Sequence, residues 1–381
     1  MSFQHSRDFH EFLQLTGSMY FTYFVREPNY ERKITVRRNV LATVAISLTL
    51  MVGIISTAHA ATADAEFYSG KVMRILVGFS AGGGFDTYAR SLSRYMGKYI
   101  PGNPTIIVEN MPGAGSLILA NHIYRVAKPD GLTIGTFNGN QILGQLIASA
   151  QGINFDPRNM EWIGAPGYNH DLCVLNQKTG ITSAEQWLAS KTPMKLGGSA
   201  PGSTTDDTAK VLKEAIGLPM RLITGYKGTA DIRVAVESGE IDGLCGFSWV
   251  SVRSTWRKAI EAGLIKILLQ TNAKAHPELP RVPLSISFAK SAEVRQLIEA
   301  GVHQPSQMTY SYSLPPKTPK DRVQVLRAAF AQTMKDADFL NDAGKANLEI
   351  APVSGEETEQ LIQNLFKTPS AVVAKLKEVL K

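Results

Sequence analysis

Three times along the chain an apolar run gives way to a glycine loop and then to residues at helical spacing. The first unit is KVMRILVGF, Lys71 to Phe79, followed by SAGGGFDT. Its nearly unbroken apolar run is the pattern of a strand covered on both faces of a parallel sheet. Asp86 stands where a helix N-cap belongs, and Ala89, Leu92, Met96 and Ile100 follow at helical spacing. The second unit is TIIVEN, the loop MPGAGS, and a helix whose apolar stripe is Leu119, Ile123 and Val126. KPDG then turns the chain into a further strand, LTIGTF. The third unit is MKLGGSA leading into PGSTTDDTAKVLKEAI, with strands expected again in RLITGYKGT and IDGLCGFSW.

Alternation of this kind predicts an α/β protein with parallel sheet. From Pro315 the pattern is helical. Thr318 and Pro319 open one helix through Val323, Leu326 and Phe330, Ser354 with Glu357 forms a capping box for another through Leu361 and Leu365, and a last helix spans Ser370 to Leu380. The expected architecture is two α/β lobes, the second inserted into the first: residues 66–172 with 268–381, and residues 173–267, with crossings near His170 and Leu269. At 381 residues and 44% apolar content, the chain is long enough for two cores.

The segment RRNVLATVAISLTLMVGIISTAHAATADA has the order of a secretory signal peptide: Arg37 and Arg38, an apolar run from Val40 to Ile55, then Ala58-His59-Ala60. The run is short for a bilayer span and is interrupted by Ser47, Thr49 and Gly53. Cleavage after Ala60 and a periplasmic location are expected, with residues 1–60 as an N-terminal extension plus signal peptide. Met1 to Val36 is left out of the fold reading, and the arginine pair is a weak match to a twin-arginine signal. Cys173 and Cys245 are the only cysteines. An oxidising compartment permits a bridge between them, but two small buried residues fit equally, because sequence cannot place their Cβ atoms. The net charge of +7 is dispersed, with no basic run interleaved with aromatics, so nucleic acid is not an expected partner.

Glycines between a strand and a helix let the backbone take positive φ and let a ligand approach it closely. The N–H groups of a helix's first turn lack intrahelical partners, and the helix dipole there favours negative charge. No Lys follows these glycines as in a phosphate loop, and GGGFDT lacks the third glycine of a dinucleotide fingerprint. No nucleotide or other cofactor is implied. None of the loop positions is Arg or Lys. Recognition by backbone amides then suits a carboxylate of one or two charges better than phosphate.

The stretches VGFSAGGGFDTYARSLSRYM, IIVENMPGAGSLILANHIYRVAKPDGLTIGTFN and ITGYKGTADIRVAVESGEIDG, with HPELPRVP and LPPKTPKDRVQVLRAAF after them, resemble the tripartite tricarboxylate transporter substrate-binding family, also called the Bug family. The resemblance covers most of Lys71 to Lys381. It implies a periplasmic two-lobed clamshell of the type II-like, Venus flytrap class, acting as a monomer, that captures a small carboxylate and delivers it to integral membrane permease subunits. It implies a first ligand loop of Ser80, Ala81, Gly82, Gly83, Gly84 and Asp86, and a second of Pro112, Gly113, Ala114, Gly115 and Ser116. The lobe-two loop is Ser199, Gly202, Ser203, Thr204 and Thr205, with Tyr226, Gly228 and Thr229 nearby, and Asn138 reaches the cleft from the third strand. Relatives often carry Pro at Ser80 or Ala81, and a His where this chain has Asp206 and Asp207. Two acids beside a carboxylate site repel it unless they point outward or meet an amino group on the ligand.

Trp249 is read either as a cleft-lining aromatic or as lobe-two core. The seven histidines, His5, His10, His59, His122, His170, His276 and His303, form no metal motif. His122 is expected to pack or face solvent, and HPELP reads as a capped turn. GGSAP, Gly197 to Pro201, superficially resembles a nucleophile elbow but has Pro where that motif needs Gly. A serine hydrolase using His276 or His303 is therefore a minor alternative to binding. A sensor subunit that presents its ligand to a membrane kinase is another.

Overall fold

The computed structural model describes residues 20–27, 30–37, 66–147, 152–226 and 228–381. The apolar run from Val40 to Ile55 and the cleavage point after Ala60 lie outside the described residues. The chain divides into two compact units, Met1–Ala63 and Asp64–Lys381. In the first, strand β1 (Tyr20–Glu27) pairs antiparallel with β2 (Tyr30–Arg37), with Glu27 opposite Tyr30. Both are rich in aromatic and β-branched residues, which suit extended backbone. Arg37 thus ends a strand.

The second unit runs β3 (Val72–Val77), α1 (Gly84–Met96), β4 (Thr105–Asn110), α2 (Leu117–Arg125), β5 (Thr133–Thr136), α3 (Asn140–Ile147) and β6 (Glu161–Ala165). It continues with β7 (Asp171–Asn176), α4 (Ala184–Leu188), β8 (Met194–Gly197), α5 (Thr204–Ile216), β9 (Met220–Ile223), α6 (Thr229–Ser238), β10 (Gly243–Ser248), α7 (Trp249–Glu261) and β11 (Ile265–Gln270). The last part is α8 (Ala292–Ile298), α9 (Gln304–Gln307), β12 (Tyr312–Leu314), α10 (Lys320–Thr333), α11 (Ala337–Lys345), β13 (Val353–Ser354), α12 (Gly355–Leu365) and α13 (Ser370–Val379).

These strands form two mixed sheets. One has the order β13-β6-β12-β5-β3-β4, the other β11-β7-β10-β8-β9. Within each, the strand–loop–helix units supply the parallel pairs: β4, β3 and β5 in the first, β9, β8 and β10 in the second. The chain leaves the six-stranded sheet after Ala165, enters the five-stranded sheet at Asp171 and leaves it after Gln270. It then returns to add β12 and β13 antiparallel.

Each sheet is covered on both faces, which is why its inner strands read as unbroken apolar runs. On one face of the larger sheet Ile75 and Val77 pack with Leu92 and Met96 of α1 and Val323, Leu326 and Phe330 of α10. On the other, Leu119, Ile123, Ile142, Leu365 and Leu376 come from α2, α3, α12 and α13. The smaller sheet has the same arrangement. The capping box of Ser354 and Glu357 is present at α12. Two local expectations are corrected. Val126 is not part of the buried stripe: it is the C-cap of α2 and 66% exposed. Asp86 is not an N-cap, because α1 begins at Gly84 with Gly83 as its cap, which places Asp86 inside the first turn.

The adjacent strands β7 and β10 bring Cys173 and Cys245 together as a disulfide across 72 residues. Closing a loop of that length removes chain entropy from the unfolded state worth about 4 kcal/mol in the loop-closure account. Replacing both cysteines with alanine should lower the unfolding free energy measured in urea by about 2–4 kcal/mol. An unchanged midpoint would show that the bridge does not form.

Candidate ligand cleft

The first glycine loop ends in an uncapped helix. Gly83, the N-cap of α1, offers no side chain to the first-turn N–H groups, which therefore remain available to an anion. Gly82 takes φ +87°, a backbone region costly for any residue with a Cβ. Asp86 braces this turn from within. Its carboxylate accepts from Gly82 N–H at 2.9 Å, Arg90 Nε at 2.9 Å and Asn110 Nδ2 at 3.0 Å. Burial works against its charge, but Arg90, Gly82 and Asn110 together hold its pKa below the ordinary carboxylate value. Asp86 is thus fully occupied in shaping the loop. Asn110 also donates to Phe79 O, so the end of β4 helps fix the start of the loop.

The second loop is more constrained. Gly113, Ala114, Gly115 and Ser116 have φ of +139°, +47°, +61° and +78°. Two of the four carry a Cβ, and each such residue costs roughly 1–2 kcal/mol in the left-handed region. Ser116 is fully buried, and its Oγ accepts Asn138 N–H at 3.0 Å. Its Cβ lies 2.4 Å from where a Cβ on Gly78 would stand, so Gly78 is required for the two loops to meet. Ser116 thus ties the ends of β3 and β5 to the loop after β4.

The loop from the smaller sheet mostly satisfies itself. Ser203 caps α5 by accepting Asp206 N–H, and its hydroxyl donates to Asp206 Oδ1 at 3.1 Å. Thr205 Oγ1 accepts Ser199 N–H. Asp206 also takes the Thr224 hydroxyl at 2.8 Å. Asp207 accepts Gly202 N–H at 3.0 Å and, from the other lobe, Asn140 Nδ2 at 3.1 Å. Both acids therefore have internal donors. Burial, with the Asp206 charge adding to it, pushes Asp207 up to about 6 although Asn140 and Gly202 donate to it.

Asn138, Asn140 and Gln141, at the end of β5 and start of α3, cross between the lobes. Asn138 Nδ2 donates to Thr204 Oγ1 at 3.2 Å, and the Thr204 hydroxyl donates to Asn140 Oδ1 at 3.2 Å. Gln141 Nε2 reaches Gly115 O at 2.9 Å and Gly202 O at 3.4 Å, joining the second loop to the lobe-two loop. Behind this seam α5 packs on the larger lobe, where a Cβ on Gly301 would lie 2.7 Å from Leu376 and 3.0 Å from Val211. The lobes are closed on one another.

Three further expected residues come from the smaller lobe. The Tyr226 hydroxyl donates to Glu240 Oε1 at 2.6 Å, and its pKa is pushed up to about 12, by burial first and then by Glu240. Gly228 is an uncapped N-cap ahead of Thr229 in α6. Trp249 belongs to the core of the smaller lobe, with its indole donating to Glu278 Oε2 at 2.9 Å. Sequence reasoning missed Asn140 and Gln141, although they directly follow Asn138. It also missed Tyr310, whose hydroxyl lies 2.8 Å from where a Cβ on Gly84 would stand.

Among the described residues one group could offer metal ligands: His170, His276 and Glu349, with ligand atoms within 4.8 Å of one another. The hydrogen bonds argue against that use. His276 Nδ1 accepts Glu278 N–H at 3.1 Å, which places the ring proton on Nε2, aimed at Glu349 Oε1 3.0 Å away. Binding a metal through Nε2, the nitrogen that faces Glu349, needs the reverse, a free Nε2 and a donating Nδ1, and Nδ1 is itself taken by Glu278 N–H. The same bonds remove His276 as a base for Ser199. His303 is buried and pushed down to about 4 by desolvation, with its Nε2 unpartnered. Ser199 Oγ accepts from Thr205, and no histidine among the described residues bonds to it.

The profile of the family described as tripartite tricarboxylate transporter family receptor matches residues 89–377. The chain belongs to that family. Family members are substrate-binding receptors, not enzymes. Within it, a UPF0065 protein of Cupriavidus necator is 26% identical over 327 residues, covering 83% of this chain and 90% of that protein. One from Pseudomonas sp. strain P51 is 23% identical, covering 87% and 91%. Among solved structures, the periplasmic binding protein BugD superposes with a TM-score of 0.62 at 20% identity, covering 82% of this chain and 98% of BugD. MatC from Rhodopseudomonas palustris, with bound malate, gives 0.61 at 17% identity, covering 82% and 99%. These likenesses share the two-lobed fold found here.

The buried Asp207 gives this receptor a pH signature. Its folded-state pKa is raised, so between about pH 4 and 6 the folded protein holds a proton the unfolded chain releases, and stability falls as pH rises through that window. Asp207→Asn removes this contribution. The stability difference, variant minus wild type, should shift in the variant's favour by up to about 3 kcal/mol between pH 4 and 7 in paired denaturation curves. A difference independent of pH would show that Asp207 titrates normally.

Proposed function

We propose that the chain is an extracytoplasmic solute-binding protein that captures a small carboxylate between its lobes and presents it to integral membrane permease subunits. The observation that carries this reading is the convergence of loops from two sheets on one seam. Ser116 joins the first two loops, and Asn138, Asn140 and Gln141 join them to the loop of residues 199–205. With helix N-termini and backbone amides at this seam and no Arg or Lys in the loops, a carboxylate is the fitting ligand. The malate and adipate bound to two Rhodopseudomonas palustris structures of the same fold accord with this class.

The lobes divide as the two sheets do, with β7 to β11 in the smaller lobe, and hinge near His170 and Leu269. A ligand touching both stabilises the closed form. No helix among the described residues is long and apolar enough to cross a membrane. The receptor acts as a monomer in the periplasm after cleavage near Ala60, and secreted protein should begin at or close to Ala61. Recovery from the cytosol with residues 40–55 attached would contradict export.

A thermal-shift screen of di- and tricarboxylates, aromatic acids, amino acids and sugars tests the ligand class. A true ligand at ~100 times its dissociation constant adds about 2.7 kcal/mol to the folded state. Gly83→Val is the matched control, since Gly83 has extended backbone and a Cβ there meets only Ser80 O at 3.9 Å. The variant should fold and lose the shift. A sugar as best hit, or wild-type binding by Gly83→Val, would overturn the reading.

A further inference from the structure

At the hinge end of the cleft stands a carboxyl group with one oxygen unprovided for. Asp171 opens β7 where the chain enters the smaller sheet, opposite Ser248 of β10. Its backbone is pinned by the returning crossing: the N–H donates to Asn272 Oδ1 at 2.7 Å, and the carbonyl accepts from the Thr271 N–H and hydroxyl. The side chain is completely buried. Oδ2 accepts the Ser306 hydroxyl at 3.1 Å, but Oδ1 is sealed from solvent without a partner.

The hydroxyl facing it across the strands is already used. Ser248 Oγ donates to Ser251 Oγ at 2.9 Å, and Tyr310 lies close enough to feel the Asp171 charge. A buried acceptor left without a donor costs on the order of 1–3 kcal/mol, and more when charged. Burial accordingly pushes the Asp171 pKa up to about 7 despite the Ser306 bond. Such a group persists where something enclosed with it supplies the missing donor. Tyr310 marks what is enclosed, because its hydroxyl stands against Gly84 at the first glycine loop. The Asp171 partner Ser306 directly follows Pro305, whose carbonyl stands against Gly139, between Asn138 and Asn140 of the seam, which sets Asp171 near that end of the proposed cradle.

We propose that Asp171 reads a hydrogen-bond donor on the bound acid, so that the preferred ligand carries a hydroxyl or ammonium group besides its carboxylates. The inference rests on the carboxylate-binding reading above. The loops take the anionic end, and Asp171 Oδ1 takes the donor as the lobes close. An unsubstituted acid leaves Oδ1 unpartnered, and a site built around a substrate donor discriminates strongly against the analogue lacking it. An ammonium group also draws the carboxyl into its charged form, so its binding releases a proton that hydroxyl binding does not.

The test is calorimetric titration at neutral pH of the mature protein with matched acids: succinate against L-malate and L-aspartate, and tricarballylate against citrate. At least one donor-bearing acid should bind about tenfold or more tightly than its unsubstituted parent, and Asp171→Ala should bring that ratio to within about threefold while sparing the parent's affinity. Asp171→Asn, closer in shape, covers failure of the alanine variant to fold, and should lose about tenfold toward an ammonium-bearing acid. Equal binding within every pair, or a preference that survives in a folded variant, would overturn this inference alone. Failure of any carboxylate to bind would remove the carboxylate reading with it.

Discussion

The hydrogen bonds that Asn138, Asn140 and Gln141 send across to residues 202–207 are the interactions on which the cleft depends. They bring together loops that belong to different sheets. They are polar and lie at a lobe seam, so exchanging them for bonds to water costs less than exposing an apolar seam. A carboxylate partner for Asn140 rather than another amide makes this seam stiffer at neutral pH, since bonds to charged groups are the stronger ones. Behind the polar seam the Val211, Gly301 and Leu376 contact is apolar and excludes water, and Gly301 is required for the close approach of α5.

The strained loop at residues 113–116 shows how local cost is balanced by tertiary structure. Ala114 and Ser116 in the left-handed region work against folding, and the buried bond from Asn138 N–H to Ser116 Oγ holds the loop in that shape. Asp86 plays the matching part in the first loop. Both loops are therefore set before any ligand arrives, which lowers the ordering cost that binding must overcome.

The layered core was legible in the sequence because burial on both faces leaves unbroken apolar runs, as in β3, and one-sided burial leaves helical stripes, as in α1. The capping box at Ser354 was legible because it is a local four-residue device. What was missed or left open depends on partners far along the chain. Asp86 has the composition of a cap, yet its role is set by Arg90 and by Asn110 at the end of another strand. The Cys173–Cys245 bridge depends on the pairing of β7 with β10, and Trp249 was undecided until Glu278 appeared beside it. Asp171 and Tyr310 carry no motif. The setting of Asp171 comes from Thr271, Asn272 and Ser306, 100 to 135 positions further along the chain. The hairpin at residues 20–37 was not read because Met1 to Val36, long for the region ahead of a signal peptide, was left out of the fold reading.

The central claim is that backbone amides of loops from both lobes hold the ligand, and amide hydrogen exchange reads those groups directly. With a saturating carboxylate, exchange should slow together across residues 81–86, 113–116 and 199–205, while the outer helices α10 and α13 exchange as before. Unchanged exchange in these three loops with ligand bound, or slowing confined to one lobe, would contradict the account.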